Sequence, residues 1–69
     1  MYTVLLVHGG PNGEVIGDPR AVYETELRLV KERAAKLLWD AQKTGKGILP
    51  DRYRIIDETN HEIVAEGTL

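Results

Sequence analysis

The chain contains no cysteine and no serine. Without thiols, neither a disulfide nor a thiolate-held zinc can form, a composition that suits a reducing cytoplasm. Without serine or cysteine, a hydrolase-type hydroxyl nucleophile would have to be a threonine such as Thr25, Thr44, Thr59 or Thr68. A threonine hydroxyl needs an activating base beside it, and none of these positions has one nearby in a recognisable motif. Phenylalanine is absent as well, and the aromatics are three tyrosines and one tryptophan. A core must therefore be aliphatic, drawn from eight leucines, six valines and five isoleucines. No apolar run approaches the roughly 20 residues of a membrane span, and the first apolar stretch has no basic leader before it. The expectation is a soluble, cytoplasmic protein. A formal charge of −2 supplies no electrostatic reason for nucleic acid or an acidic membrane as partner.

What is present is the ordinary material of a small globular domain. Of 69 residues, 42% are apolar and 29% charged, which argues against disorder and for one unit, residues 1–69. Residues 2–8 (YTVLLVH) form a β-branched and leucine-rich run punctuated by Gly9, Gly10 and Pro11, which reads as a strand. Residues 9–17 are turn-rich, and Glu14-Val15-Ile16 can return as a short second strand after a turn at Pro11-Asn12-Gly13. Asp18-Pro19 has the chemistry of a helix start, and helix-favouring residues follow from 20 to 43 or 44, where Gly45 offers a left-handed stop. At about 100° per residue, Tyr23, Leu27, Val30, Ala34, Leu37, Leu38 and Ala41 share one stripe, opposite a row of alternating charges at Glu24, Arg28, Glu32, Lys36 and Asp40. Two further strands are expected at 52–57 (RYRIID) and 62–66 (EIVAE), joined by a turn at 58–61 with Asn60 in its left-handed position.

The order is β-(β)-α-β-β. It implies an α+β domain with a three- to four-stranded sheet and one long helix on one face. If the two long strands flanking the helix lie parallel, their crossover is right-handed.

Several segments have the form of functional motifs. Leu5-Leu6-Val7-His8-Gly9-Gly10-Pro11 resembles the oxyanion-hole segment of α/β-hydrolases of the proline-iminopeptidase type, where glycine amides face a developing oxyanion. That family also needs a nucleophile on a Gly-x-Ser-x-Gly elbow, which a serine-free chain cannot supply, so no enzyme is expected and no catalytic residue is assigned. As a phosphate cradle the same loop lacks the P-loop ending, and Asp18 would sit where the anion belongs. His8 and His61 have no metal-ligand spacing, so no metal and no cofactor is expected. A weaker alternative leaves the Gly9–Asp18 loop, with His8, as a small-ligand or metal site. A second alternative is a nucleic-acid or regulatory binder built on a basic corner of Lys43, Lys46, Arg52 and Arg54. Tyr53 points away from the two arginines, so no aromatic stacking platform accompanies them.

Trp39 falls almost opposite the buried stripe, either lying over lysine stems or standing as a partner anchor. The strands themselves are apolar on both faces: Val4-Leu5-Leu6-Val7, Ile55-Ile56 and Ile63-Val64 do not alternate. A single helix covers one face, so Val4, Leu6, Ile56 and Val64, or their alternates, should form a patch that a second copy covers in a homodimer. The competing expectation is that the 9–17 loop and the segment around Ile48-Leu49 fold over it.

The order of features also resembles a family of short uncharacterised bacterial proteins known as a domain of unknown function. The likeness lies in a strand from Tyr2, a Gly/Asp loop, a helix over residues 23–42, a loop at 45–50, and Arg54-Ile55-Ile56-Asp57-Glu58 leading into a hairpin. The chain departs from that pattern at Asn60, where a glycine is usual, and at Tyr2-Thr3, where paired aromatics are usual. The resemblance implies a strand–helix–hairpin plan in a bacterial protein and brings no activity with it.

Overall fold

A computed structural model of the chain describes residues 1–10 and 12–69. Pro11, and with it the end of the His-Gly-Gly-Pro segment, lies outside the described residues. The chain runs β1 (Tyr2–His8), β2 (Glu14–Val15), β3 (Arg20–Val22), α1 (Leu27–Thr44), β4 (Arg52–Asp57) and β5 (Glu62–Gly67). Five strands make one sheet in the order β2-β1-β4-β5, with β3 pairing the same edge of β1 as β2. Every pairing is antiparallel, including β1 with β4, so the condition for a right-handed parallel crossover is not met.

The helix packs on one face of this sheet, which is the expected α+β plan with one strand more than the sequence suggested. That extra strand corrects the reading of residues 20–26 as helix. Arg20, Ala21 and Val22 pair instead with Val4, Thr3 and Tyr2. The N-terminal half of β1 would otherwise present open hydrogen-bonding groups at its edge, and Val22 drops into the core. Tertiary pairing overrides helix propensity here. Asp18-Pro19 is therefore part of a β-strand approach, not a helix cap. The helix starts after Glu26, whose extended backbone makes no side-chain cap bond. The lead-in is tied down by Arg33, which reaches back to Glu24 at 3.1 Å. Of the expected charge row, the Arg28–Glu32 pair forms, at 3.5 Å across one helical turn.

The helix ends at Gly45, but not in the left-handed conformation: its φ is −71°, and its amide donates to the Ala41 carbonyl at 2.8 Å. Glycine is required there by space. A Cβ would press on the Ala41 carbonyl and the Leu49 side chain. In the β4–β5 turn the left-handed residue is His61 (φ 58°), not Asn60. Asn60 instead accepts the Glu62 amide through Oδ1 at 3.1 Å, and Asp57 accepts the Thr59 amide at 2.9 Å. These side-chain turns fix the hairpin without Asn60 leaving ordinary backbone space.

Register divides the sheet into two faces. Val4 pairs with Ile55 and Leu6 with Tyr53, and Ile55 pairs with Ala65. These side chains meet Val22, Val30, Ala34 and Leu38 in the core. The inward helix stripe is as expected at Val30, Ala34 and Leu38. Tyr23 is not part of it: it precedes the helix and is 81% exposed.

Candidate functional site: the open sheet face and the loop latch

Side chains alternate along a strand, so the residues next to the core positions face away from the helix. On β1 these are Thr3, Leu5 and Val7; on β4 they are Arg52, Arg54 and Ile56, paired across the sheet as Thr3–Ile56, Leu5–Arg54 and Val7–Arg52. Past a bulge between Ile55 and Ile56, β5 brings Ile63 opposite Ile56, and Glu66 lies opposite Arg54. Among the described residues no second helix covers this face.

Against the expected patch, the structure divides the named residues. Val4 is 0% exposed beneath the helix, and Leu6 packs half-buried on the same side. Their assignment to the open face was one residue out of register, and Leu5 with Thr3 replaces them. A one-residue shift exchanges the two faces of a strand, and residues 4–7 are apolar at every position. Ile56 does lie on the open face, half-buried. Val64 occupies the extra position of the bulge and is 37% exposed, while its neighbour Ile63 is 55% exposed.

At the centre of the face Arg54 donates through Nε to Glu66 Oε1 at 3.3 Å, with only 15% of the arginine side chain accessible. Arg52 Nε lies 3.5 Å from Asp51 Oδ1 without hydrogen-bond geometry, beside fully buried Val7. The face is thus an aliphatic surface of Leu5, Ile56 and Ile63 that also carries two cations, Arg52 and Arg54, with the Glu66 carboxylate held beside Arg54.

The face is not open along its whole length, because Val7 at its β2 end is 0% exposed. Leu49 and Pro50 sit on the helix side, sharing a groove with Leu6 and Ala41. Gly13 packs against the end of β1, where a Cβ would collide with the His8 carbonyl.

The basic corner does not assemble. Arg52 and Arg54 face away from the helix, whereas Lys43 and Lys46 lie at the helix end on the other side of the sheet. Lys43 is engaged with Trp39, its Nζ 4.5 Å from the ring centroid. Trp39 itself is 51% exposed on the outer helix face, with the Lys43 ammonium over its ring.

The His-Gly-Gly segment has a structural occupation. The His8 ring, through Nδ1, is 2.8 Å from the Leu49 carbonyl oxygen, and the Gly9 amide donates to Asp51 Oδ2 at 3.0 Å. The Asp51 amide in turn donates to the Val7 carbonyl at 2.8 Å. The amide that a hydrolase would aim at an oxyanion is thus held by a carboxylate of the same chain. Asp51 is kept ionised below the usual aspartate range, chiefly by the Gly9 amide, with Arg52, the Gly10 amide and His8 adding to it against some desolvation. The loop that was a candidate small-ligand or metal site is committed to this latch. Among the described residues no three His, Asp or Glu side chains are placed to share a metal. No helix is long and apolar enough to cross a membrane among those residues.

Sequence reasoning missed Asp51, which lies in a loop with no motif around it. Its only signal was its position directly before the β4 run, facing the glycines across the sheet end.

No family model, curated protein or solved structure matches the chain. Function has to be argued from the geometry.

Proposed function

We propose that this protein is a non-enzymatic, cytoplasmic interaction module that forms a homodimer through the open face of its sheet. The observation that carries the reading is the placement of Leu5, Ile56 and Ile63 around the Arg54–Glu66 pair on a face with no helix. Exposed apolar side chains rimmed by charged ones are a common mark of an interaction surface. The occupant is a second copy because the face is self-complementary. A twofold axis near its centre sets each Arg54 against the other copy's Glu66 and stacks the aliphatic residues on one another. Pairing along the free edge of β5 is disfavoured by Glu62 and Glu66, whose charges guard that edge.

The size of the face sets the strength. Strands about 4.8 Å apart and six residues long give a face of roughly 300–400 Å² per copy. Doubled, that falls below the about 1,200–2,000 Å² of stable complexes. The dimer is therefore weak, with a dissociation constant on the order of tens of micromolar, or about −6 kcal/mol. Nucleic-acid binding finds no support, because the four basic residues are divided between the two sides of the sheet. The test is Ile56→Asp, which buries a charge in the dimer. It should leave a folded monomer at concentrations where the wild type dimerises, and an unchanged dimer would place the interface elsewhere.

A further inference from the structure

On the helix side, away from the open face, a groove of about 210 Å³ runs between the end of α1, the β2–β3 connection and residues 45–50. Its floor is aliphatic, formed by Leu6, Ala41 and Leu49, and its rim carries Asp18, Arg20 and Lys46. Three charged groups of both signs share one small groove, yet no ion pair joins them among the described residues. Arg20 is held in β3 by its pairing with Val4, Asp18 follows the left-handed turn at Gly17, and Lys46 sits on the loop after the helix.

We propose that this groove binds a small zwitterion with an aliphatic body, a free aliphatic amino acid. The charges fit such a ligand group by group. Arg20 offers a guanidinium fork for the carboxylate, Asp18 a carboxylate for the ammonium, and the floor takes the side chain. A simple aliphatic anion would leave Asp18 facing a like charge, and a simple amine would meet the two cations. A groove of about 210 Å³ has room for a small molecule rather than a peptide. The site goes beyond the dimer reading and does not depend on it, since the two lie on opposite sides of the sheet.

Titration of L-leucine into ¹⁵N-labelled protein, followed by amide shifts, tests this. Saturable shifts are expected at Gly17, Arg20, Ala41 and Leu49, with a dissociation constant in the millimolar range. 4-Methylpentanoate, which lacks the ammonium, and isoamylamine, which lacks the carboxylate, should each bind at least about tenfold more weakly. That is the usual consequence of losing a hydrogen bond to a charged group. Arg20→Gln and Asp18→Asn should each weaken leucine by a similar factor, and Lys31→Gln, on the exposed helix surface, should not. Equal binding of either truncated compound, or no saturable shift in the groove at tens of millimolar leucine in protein whose spectrum is otherwise folded, would overturn the proposal. A dimer that persists without leucine binding, or the reverse, separates the failure of this site from failure of the interface.

Discussion

Val4 and Leu5 are adjacent, both apolar, and indistinguishable in the sequence pattern, yet the fold places one beneath the helix and the other on the open face. Replacing each with alanine tests that division. Val4→Ala removes two carbons from a site that is 0% exposed. At about 0.8 kcal/mol per buried carbon, transfer alone costs about 1.6 kcal/mol, and the cavity left between β1 and α1 raises the total to about 2–3 kcal/mol. Leu5→Ala removes three carbons from a side chain that is partly exposed and leaves no enclosed cavity. Its cost is about 1.5–2 kcal/mol. The smaller deletion should therefore be the more damaging one, because the cavity beneath the helix adds to its transfer cost. At about 4–8 °C per kcal/mol, Val4→Ala should lower the midpoint by about 8–24 °C and Leu5→Ala by about 6–16 °C, with Val4→Ala the lower of the two in the same assay. Thermal and urea unfolding by far-ultraviolet circular dichroism, at a few micromolar where the chain is monomeric, reads both. Equal losses, or a larger loss for Leu5→Ala, would mean that β1 is registered one residue away from the pairing described and that the two sheet faces are exchanged.

Other outcomes follow from the same geometry. Gly67→Ala should cost about 1–3 kcal/mol in the same unfolding assay, because the new Cβ collides with the Tyr53 ring at the edge of the core; an unchanged midpoint would show that the ring is free to move. Asp51, whose folded carboxyl titrates below its ordinary value, contributes stability above the unfolded pKa and loses it as pH falls through the lowered folded value. Asp51→Asn should therefore flatten the stability–pH curve below about pH 4, and a curve matching the wild type there would remove the latch from the account. Trp39 should be readily quenched by acrylamide, and Trp39→Ala should cost well under the roughly 3–5 kcal/mol of a buried tryptophan; resistant, blue-shifted emission from a monomer would contradict its exposure. Purified protein should hydrolyse no ester or peptide above buffer, and turnover abolished by His8→Ala would reopen the oxyanion-hole reading.

The elements that could be read from sequence were those whose local pattern and tertiary role agree. β1, β4 and the hairpin have β-branched residues between turn signals, and Val30, Ala34 and Leu38 keep helical spacing because the sheet lies beneath them. Residues 18–26 misled because capping chemistry and helix propensity are local, while the open edge of β1 that recruits Arg20–Val22 is visible only once the strands are assembled. The open face was legible as a surplus of apolar residues and illegible as a list. A run such as Val4-Leu5-Leu6-Val7 carries no alternation to fix register, and the bulge at Ile63-Val64 shifts it again on β5. The latch of His8, Gly9 and Asp51 spans more than forty residues of sequence and rests on three hydrogen bonds, one of them to the Leu49 carbonyl, a relation no short motif encodes.

Self-association through the open face is tested most directly by sedimentation equilibrium of the wild-type protein from about ten micromolar to one millimolar, the range that brackets the affinity set by the face's area. The mass should rise from 7.7 kDa toward twice that value along a single monomer–dimer isotherm. A mass that stays at 7.7 kDa up to one millimolar would contradict the account.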